Sequence, residues 1–123
     1  MDTEDFPPFD VYNAECPTHQ VLTLISARWT ILLVGVLAQR PHRFGELRGL
    51  VGGISPKSLT KTLRDLERDG VVNRHVFAEV PPRTLYELTD FGRSLIEPLA
   101  ALRQWSEANI ETILAARAEH AAR

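Results

Sequence analysis

The chain has 123 residues, enough for one folded domain, and its 44% hydrophobic and 24% charged residues exclude a disordered protein. Its single cysteine excludes an intramolecular disulfide. The acidic N-terminus and the absence of a long apolar run argue against a signal peptide and a membrane span, so we expect a reduced, cytoplasmic protein with no membrane partner. The net charge is only −2, but residues 28–93 carry eleven Lys or Arg against seven Asp or Glu, which is compatible with a polyanionic partner or with a merely solvated surface.

The first half of the chain predicts an arm and three helices. Residues 1–15 are acidic and contain prolines, so we expect an N-terminal arm. Apolar residues then recur at helical spacing in one short helix that begins at Cys16-Pro17 and in another that begins at Trp29 and ends before Pro41. Residues 44–51 predict a short third helix, which a glycine pair ends.

The fourth predicted helix carries the clearest signals. Ser55-Pro56 is an N-cap serine with proline in the first turn, and the helix is expected to end at Gly70. At about 100° per residue, a leucine face and a basic face lie on opposite sides of this helix. The leucine face consists of Leu59, Leu63 and Leu66, and the basic face consists of Lys57, Lys61, Arg64 and Arg68.

The second half of the chain predicts a hairpin and a long helix. Two β-prone runs, residues 71–77 and 84–89, are joined by a proline-rich stretch that favours a stiff hairpin tip. Thr89 is expected to cap a long C-terminal helix that Pro98 kinks or interrupts. The apolar residues of that helix exceed what one small domain needs. We therefore expect burial against a partner subunit for Leu99, Leu102, Trp105, Ile110 and Ile113.

This order of elements predicts the fold class. Two helices joined by a short glycine-containing turn form a helix-turn-helix, and the hairpin after them forms a wing. We predict a mainly α protein with a small β-hairpin (α+β), a winged helix-turn-helix with a long C-terminal dimerisation helix. Residues 1–123 would form a single winged-helix domain with its core at 16–93 and the dimerisation helix at 94–123.

Six motifs follow one another along the chain: Cys16-Pro17, Arg28-Trp29, Arg43-Phe44-Gly45-Glu46-Leu47-Arg48, Gly53-Ile54-Ser55, Glu79-Val80-Pro81-Pro82-Arg83 and Leu88-Thr89-Asp90-Phe91-Gly92. In this order and spacing the chain resembles the HxlR-type transcriptional regulators, a winged-helix group related to the MarR family. The resemblance implies a homodimer that binds an inverted-repeat operator in double-stranded DNA and controls a neighbouring gene.

The basic face of the fourth helix is the principal functional candidate. Donors in the first turns of a reading helix reach base edges, so we expect Lys57, Ser58 and Lys61 at bases, with Arg64 and Arg68 on phosphates. Arg83, after two prolines at the wing tip, suits a narrow minor groove. The alternative is a solvated surface, with Lys61 paired to Asp65 and Arg83 paired to Glu79. The predicted DNA-binding set is Ser55, Lys57, Ser58, Lys61, Arg64, Arg68 and Arg83.

Cys16 is a candidate sensor of oxidants or electrophiles. It stands at a helix start, where the helix dipole favours a thiolate, although Glu15 would raise its pKa. The resemblance implies more, since some members of the family sense oxidants or electrophiles with a cysteine at this position. The alternative is a cysteine packed in an interface as a small hydrophobe.

Other candidates are weaker. Trp29 and Trp105 are expected in the core and dimer interface, or else in a cavity for an aromatic effector with Phe6, Phe9 and Tyr12. The four histidines lack ligand spacing and no catalytic motif is visible, so we predict no metal, no cofactor and no enzyme activity. We expect a sequence-specific DNA-binding regulator, a dimeric repressor, with a protein-interaction module that does not bind DNA as the alternative.

Overall fold

A computed structural model describes residues 9–123, so residues 1–8 of the predicted arm, Phe6 included, lie outside it. Within the described residues the chain forms six helices and three strands. They are α1 (Pro17–Ile25), α2 (Arg28–Leu37), β1 (His42–Arg43), α3 (Phe44–Leu50), α4 (Pro56–Arg68), β2 (Val72–Phe77), β3 (Arg83–Leu88), α5 (Asp90–Arg93) and α6 (Ile96–Ala121). This is the predicted winged helix-turn-helix, with α3 and α4 as the two helices and β2–β3 as the wing.

The core is built around α2. This helix contacts α1, α3, α4, β3 and α6, and its face of Thr30, Leu33, Val34 and Leu37 is fully buried. The other buried apolar side chains are supplied mainly by α3, α4 and the strands. They are Leu47, Val51, Ile54, Leu59, Leu63, Leu66, Val71, Val72, Leu88 and Leu99.

No single helix in the described part of the chain is long and apolar enough to cross a bilayer. Helices α1 and α2 reach the required length and composition only as a pair, and a bend of 66° separates them.

The sheet has one strand more than the sequence predicts. Strands β2 and β3 pair antiparallel, from Val72 opposite Leu88 to Phe77 opposite Arg83, which confirms the hairpin. Strand β1 pairs with the other edge of β3, in the order β1-β3-β2. Its two residues are too few for a hydrophobic alternation to be detected, because that pattern needs at least about four residues.

The C-terminal helix is interrupted, as the sequence predicts, but the break lies upstream of Pro98. Thr89 does cap a helix, since its hydroxyl oxygen accepts a hydrogen bond from the Gly92 N–H at 2.8 Å, but that helix, α5, ends after one turn. Pro98 lies in the first turn of α6, where its missing N–H has no helical partner to lose. The Pro98 ring would collide with the carbonyl of Ser94 in one continuous helix. The break therefore falls at residues 94–95, and Pro98 lies in α6 rather than at a kink.

The predicted dimer face also needs one correction. Leu99 is buried in the core of its own chain, because the first turns of α6 pack on α2. The large apolar residues of α6 beyond Leu99 are exposed or half-buried: Leu102, Trp105, Ile110, Ile113 and Leu114.

Gly92 is placed where a larger residue cannot fit. The N–H of Thr89 donates to the carbonyl of Val71 at 3.0 Å, which ties the start of α5 to the start of β2. A Cβ atom on Gly92 would lie 2.1 Å from that same carbonyl oxygen. The backbone would have to separate there to accept any side chain.

Gly92→Ala should therefore lower the free energy of unfolding by about 1–3 kcal/mol, the usual cost of overpacking. Gly49→Ala is the matched control, because a Cβ at Gly49 in α3 meets nothing within 4 Å. Alanine also favours a helix over glycine by about 0.5–1 kcal/mol. Urea denaturation of both variants checks this, and equal stability of the two would contradict the close approach of α5 to Val71.

Candidate nucleic-acid interface

The N-terminus of α4 is formed as its sequence predicts. The Ser55 hydroxyl oxygen accepts a hydrogen bond from the Ser58 N–H at 3.0 Å, and Pro56 occupies the first turn. Lys57 is exposed, and no ion pair to it forms within residues 9–123. At the other end, Gly70 has a φ of 77°, the left-handed conformation that ends a helix.

The two faces of α4 are separated in space as they are in sequence. Leu59, Leu63 and Leu66 are 0–2% exposed, whereas all four cations of the opposite face are exposed to solvent. The burial of the leucines fixes the rotation of the helix about its axis. Lys57, Lys61, Arg64 and Arg68 consequently share one open surface, which we call the basic face.

Acidic neighbours partly neutralise the basic face. Lys61 Nζ lies 3.0 Å from Asp65 Oδ2, and Arg68 Nε lies 2.8 Å from Asp69 Oδ1. The hydrogen bonds from Arg68 lower the pKa of Asp69, so that carboxylate stays charged. The Lys61–Asp65 pair is one that the solvated-surface alternative predicts, but exposed pairs contribute only about 0–1 kcal/mol each. A phosphate can therefore compete for the same cations.

Arg83 does not project from the wing tip. Its guanidinium carbon lies 4.4 Å above the centre of the Phe77 ring, and its Nη2 lies 3.5 Å from Glu79 Oε1. The side chain is 33% exposed, and its buried Nε has no hydrogen-bond partner among the described residues. Contact with a minor groove would require Arg83 to leave Glu79.

Three further exposed arginines were not among the predicted contacts. Arg43 and Arg48 are exposed at the two ends of α3, and Arg74 is exposed on β2. The first helix of a helix-turn-helix crosses the DNA backbone, so the two arginines at α3 could have been found by that rule. Arg74 could not, because its position beside α4 depends on how the hairpin packs.

Glu46 organises the start of α3. Its carboxylate accepts hydrogen bonds from the backbone N–H of Arg43 at 2.9 Å and from Arg40 Nη2 at 3.1 Å. These contacts, the backbone one first, lower the pKa of Glu46. Glu46 thus forms an ion pair with Arg40. Arg43 and Arg48 have no ion-pair partner within the described chain.

Cys16 is half-buried at the N-cap of α1. Its Sγ lies 2.8 Å from the Thr18 hydroxyl oxygen and accepts a hydrogen bond from the Asp10 N–H at 3.3 Å. The hydrogen bond with the Thr18 hydroxyl is the larger effect that lowers the pKa of the thiol, and the hydrogen bond from the Asp10 N–H is the second. Partial burial and the charge of Asp10 oppose them. The opposing carboxylate is thus Asp10 and not Glu15.

Among the described residues, the candidate aromatic side chains do not enclose a space for an effector, and Phe6 lies outside the described residues. Trp29 packs against the core with the Arg28 guanidinium 3.9 Å from its ring centre, whereas Phe9, Tyr12 and Trp105 are exposed. An aromatic effector stays a prediction. Among residues 9–123, no three His, Cys, Asp or Glu side chains gather in a group that could hold a metal ion.

Comparison with known proteins gives one consistent family. Residues 24–113 match the family described as HxlR-like helix-turn-helix. The chain is 40% identical over 113 residues to the uncharacterized HTH-type transcriptional regulator YtfH of Escherichia coli (strain K12), covering 92% of this chain and 90% of the relative.

Solved structures agree with this assignment. The putative transcriptional regulator ytfH from Salmonella typhimurium superposes with a TM-score of 0.84 at 38% identity, covering 89% of this chain and 97% of that one. The redox regulator HypR in its oxidized form superposes with a TM-score of 0.70 at 37% identity, covering 76% of this chain and 97% of that one.

Proposed function

The chain belongs to the HxlR-like helix-turn-helix family of transcriptional regulators, and on that premise we propose that it is a dimeric repressor that binds an inverted-repeat DNA operator sequence-specifically. The observation that carries this proposal is the basic face of α4, held open by the burial of three leucines. The proposal assigns the chain to the cytoplasm and gives it no catalytic activity.

The proposed reading geometry follows from the position of each cation along α4. A major groove is about 12 Å wide and admits one helix, whose first turns then lie against the base edges. Lys57 is in the first turn and exposed, and Lys61 follows one turn later. Arg64 and Arg68 are farther along, where the helix leaves the groove and phosphates are within reach.

Ser55 and Ser58 are uncharged, so we expect them to contact DNA through hydrogen bonds and not through ion pairs. The Ser55 hydroxyl already accepts the capping hydrogen bond from Ser58. It retains its own hydrogen as a donor, so it can bind a phosphate oxygen or a base acceptor without losing the cap.

The proposed dimer is supported by the exposed apolar residues of α6. Beyond Leu99 the helix extends about 30 Å at 1.5 Å per residue with Leu102, Trp105 and Ile110 exposed. A second copy that covers them would remove this surface from water, and the two reading helices would then meet half-sites about 34 Å apart.

Oxidant response is the regulatory part of the proposal. The contacts of Thr18 and Asp10 with Cys16 favour its thiolate, and one protein similar in fold and sequence is named as a redox regulator. A Cys16 bridge between subunits, a mixed disulfide and addition to an electrophile remain the three routes, and we favour the mixed disulfide because it requires only access and some thiolate.

Two substitutions on α4 should separate base reading from phosphate binding. Lys57→Ala should weaken binding to an operator selected by the wild type by about 10- to 100-fold, or roughly 1–3 kcal/mol, with much less effect on random DNA. Arg68→Ala should weaken both DNAs alike and reduce the salt slope by about one per subunit. Fluorescence anisotropy titrations measure both.

Arg123→Ala is the matched control, since Arg123 is exposed and, within residues 9–123, forms an ion pair only with Glu119. It should change neither affinity. If Lys57→Ala and Arg68→Ala affected the two DNAs identically, the assignment of base and phosphate roles would be wrong.

A charge on the apolar face of α6 should dissociate the dimer. We expect the wild type to be dimeric at micromolar concentration and Trp105→Glu to be monomeric, because the new carboxylate would be buried without a partner. Ala115→Glu is the control, because Ala115 lies about 140° around α6 from Leu102 and Ile110. Light scattering reports the masses, and a monomeric wild type would overturn the proposed interface.

Oxidised glutathione should release the wild type from its operator and leave Cys16→Ser bound. The Cys16 thiolate attacks the disulfide, forms a new S–S bond and expels one glutathione thiolate. Thr18→Val removes the hydroxyl that lowers the pKa of Cys16, so its release should be slower at pH 7 and its pH–rate profile should move to higher pH.

Thr23→Val is the isosteric control, because its hydroxyl donates to the His19 carbonyl and does not contact the thiol. It should respond at the wild-type rate. Retained DNA binding by a wild type that mass spectrometry shows to be fully modified at Cys16 would rule out the thiol as the switch.

A further inference from the structure

A cleft separates α4 from the wing strands beside the basic face. Its volume is about 210 Å³, and side chains from both elements line it. The lining residues are Thr60, Leu63, Arg64, Glu67, Arg74 and Tyr86.

The register of the hairpin and the period of the helix bring these side chains together. Arg74 on β2 lies directly opposite Tyr86 on β3, so the two side chains are on the same face of the hairpin. Thr60, Arg64 and Glu67 are three and four residues apart, so they follow one side of α4. Two guanidinium groups and two hydroxyls thus surround one cleft.

The cleft carries a positive charge that its one carboxylate neutralises only in part. Arg74 Nε lies 3.6 Å from Glu67 Oε2, which is too long for a good hydrogen bond, and both side chains are more than a third exposed. No ion pair to Arg64 forms within the described residues. The single carboxylate therefore neutralises only one of two cations.

Tyr86 supplies a neutral donor. Burial is the largest effect on the pKa of Tyr86 and raises it. The charge of Glu67 also raises this pKa, whereas the charges of Arg74 and Arg64 lower it. The phenol accordingly stays protonated at neutral pH and can donate a hydrogen bond to an anion in the cleft.

We propose that this cleft binds one backbone phosphate of the DNA, held by Arg64 and Arg74 with the Tyr86 hydroxyl as a third donor. Arg74 turns from Glu67 to the phosphate, and a guanidinium suits a phosphate because its donors match two oxygens at once. The wing thereby contacts the DNA strand that borders the major groove occupied by α4. This inference rests on the proposed DNA binding and adds Arg74 and Tyr86 to the interface.

The alternative is that Arg74 and Glu67 only fasten the wing to α4. The two hypotheses predict opposite effects of Glu67→Gln on the affinity for DNA. If the pair is a fastener, Arg74→Gln and Glu67→Gln both break it and change DNA binding in the same direction. If the cleft binds phosphate, Arg74→Gln removes a contact, whereas Glu67→Gln removes a competing and repelling carboxylate.

The test measures binding to random double-stranded DNA across a range of salt concentrations. Arg74→Gln should weaken binding by roughly tenfold at low salt and reduce the log–log salt slope by less than about one per subunit, because Arg64 still faces the same phosphate. Glu67→Gln should strengthen binding severalfold. Tyr86→Phe should weaken it severalfold with the slope unchanged, because a neutral hydroxyl releases no counterion.

Arg123→Gln controls for the loss of a surface arginine and should match the wild type. A change in the same direction for Arg74→Gln and Glu67→Gln, or no change for either, would overturn the phosphate site. If Arg74→Gln does not fold, as circular dichroism would show, the Glu67→Gln and Tyr86→Phe results decide. A wild type that shows no salt-dependent DNA binding would instead overturn the proposed function itself.

Discussion

The packing of the α4 leucines against the core is the interaction on which the rest depends. Leu59 and Leu66 are fully buried and Leu63 nearly so, and each such side chain contributes about 1.5–3 kcal/mol when it leaves water. Rotation of α4 by half a turn would expose these leucines and turn the cations toward the core. The basic face, the cleft beside the wing and the reach of Lys57 all follow from this one fixed rotation.

Local signals explain why so much of the fold was predictable. The cap at Ser55, the left-handed Gly70 and the separation of leucines from cations are each set by residues close in sequence, and the structure confirms them. The hairpin was equally readable from its β-prone runs. Strand β1 and the position of the break upstream of Pro98 were not, because strand pairing with β3 and the exact residue at which the helix is interrupted depend on tertiary contacts.

The candidate site was predicted less completely for the same physical reason. The sequence places Lys57 and Arg68 on one face of a helix, and that placement needs only the helical period. It contains no information on the distance between Arg74 and Glu67, or on the contact of Arg83 with Phe77, since both depend on strand register and packing. Helix α2 contacts α1, α4 and α6, so it joins the Cys16 helix and the exposed apolar helix to the reading helix.

The salt dependence of wild-type binding to random double-stranded DNA tests the role of the basic face most directly. Arg68 binds one phosphate per subunit, and Arg64 and Arg74 share another. A dimer therefore neutralises about four phosphates, and the logarithm of the binding constant should fall with the logarithm of salt concentration at a slope near −4. A slope near zero, or no binding at low salt, would contradict DNA recognition through α4 and favour a winged helix that binds another protein.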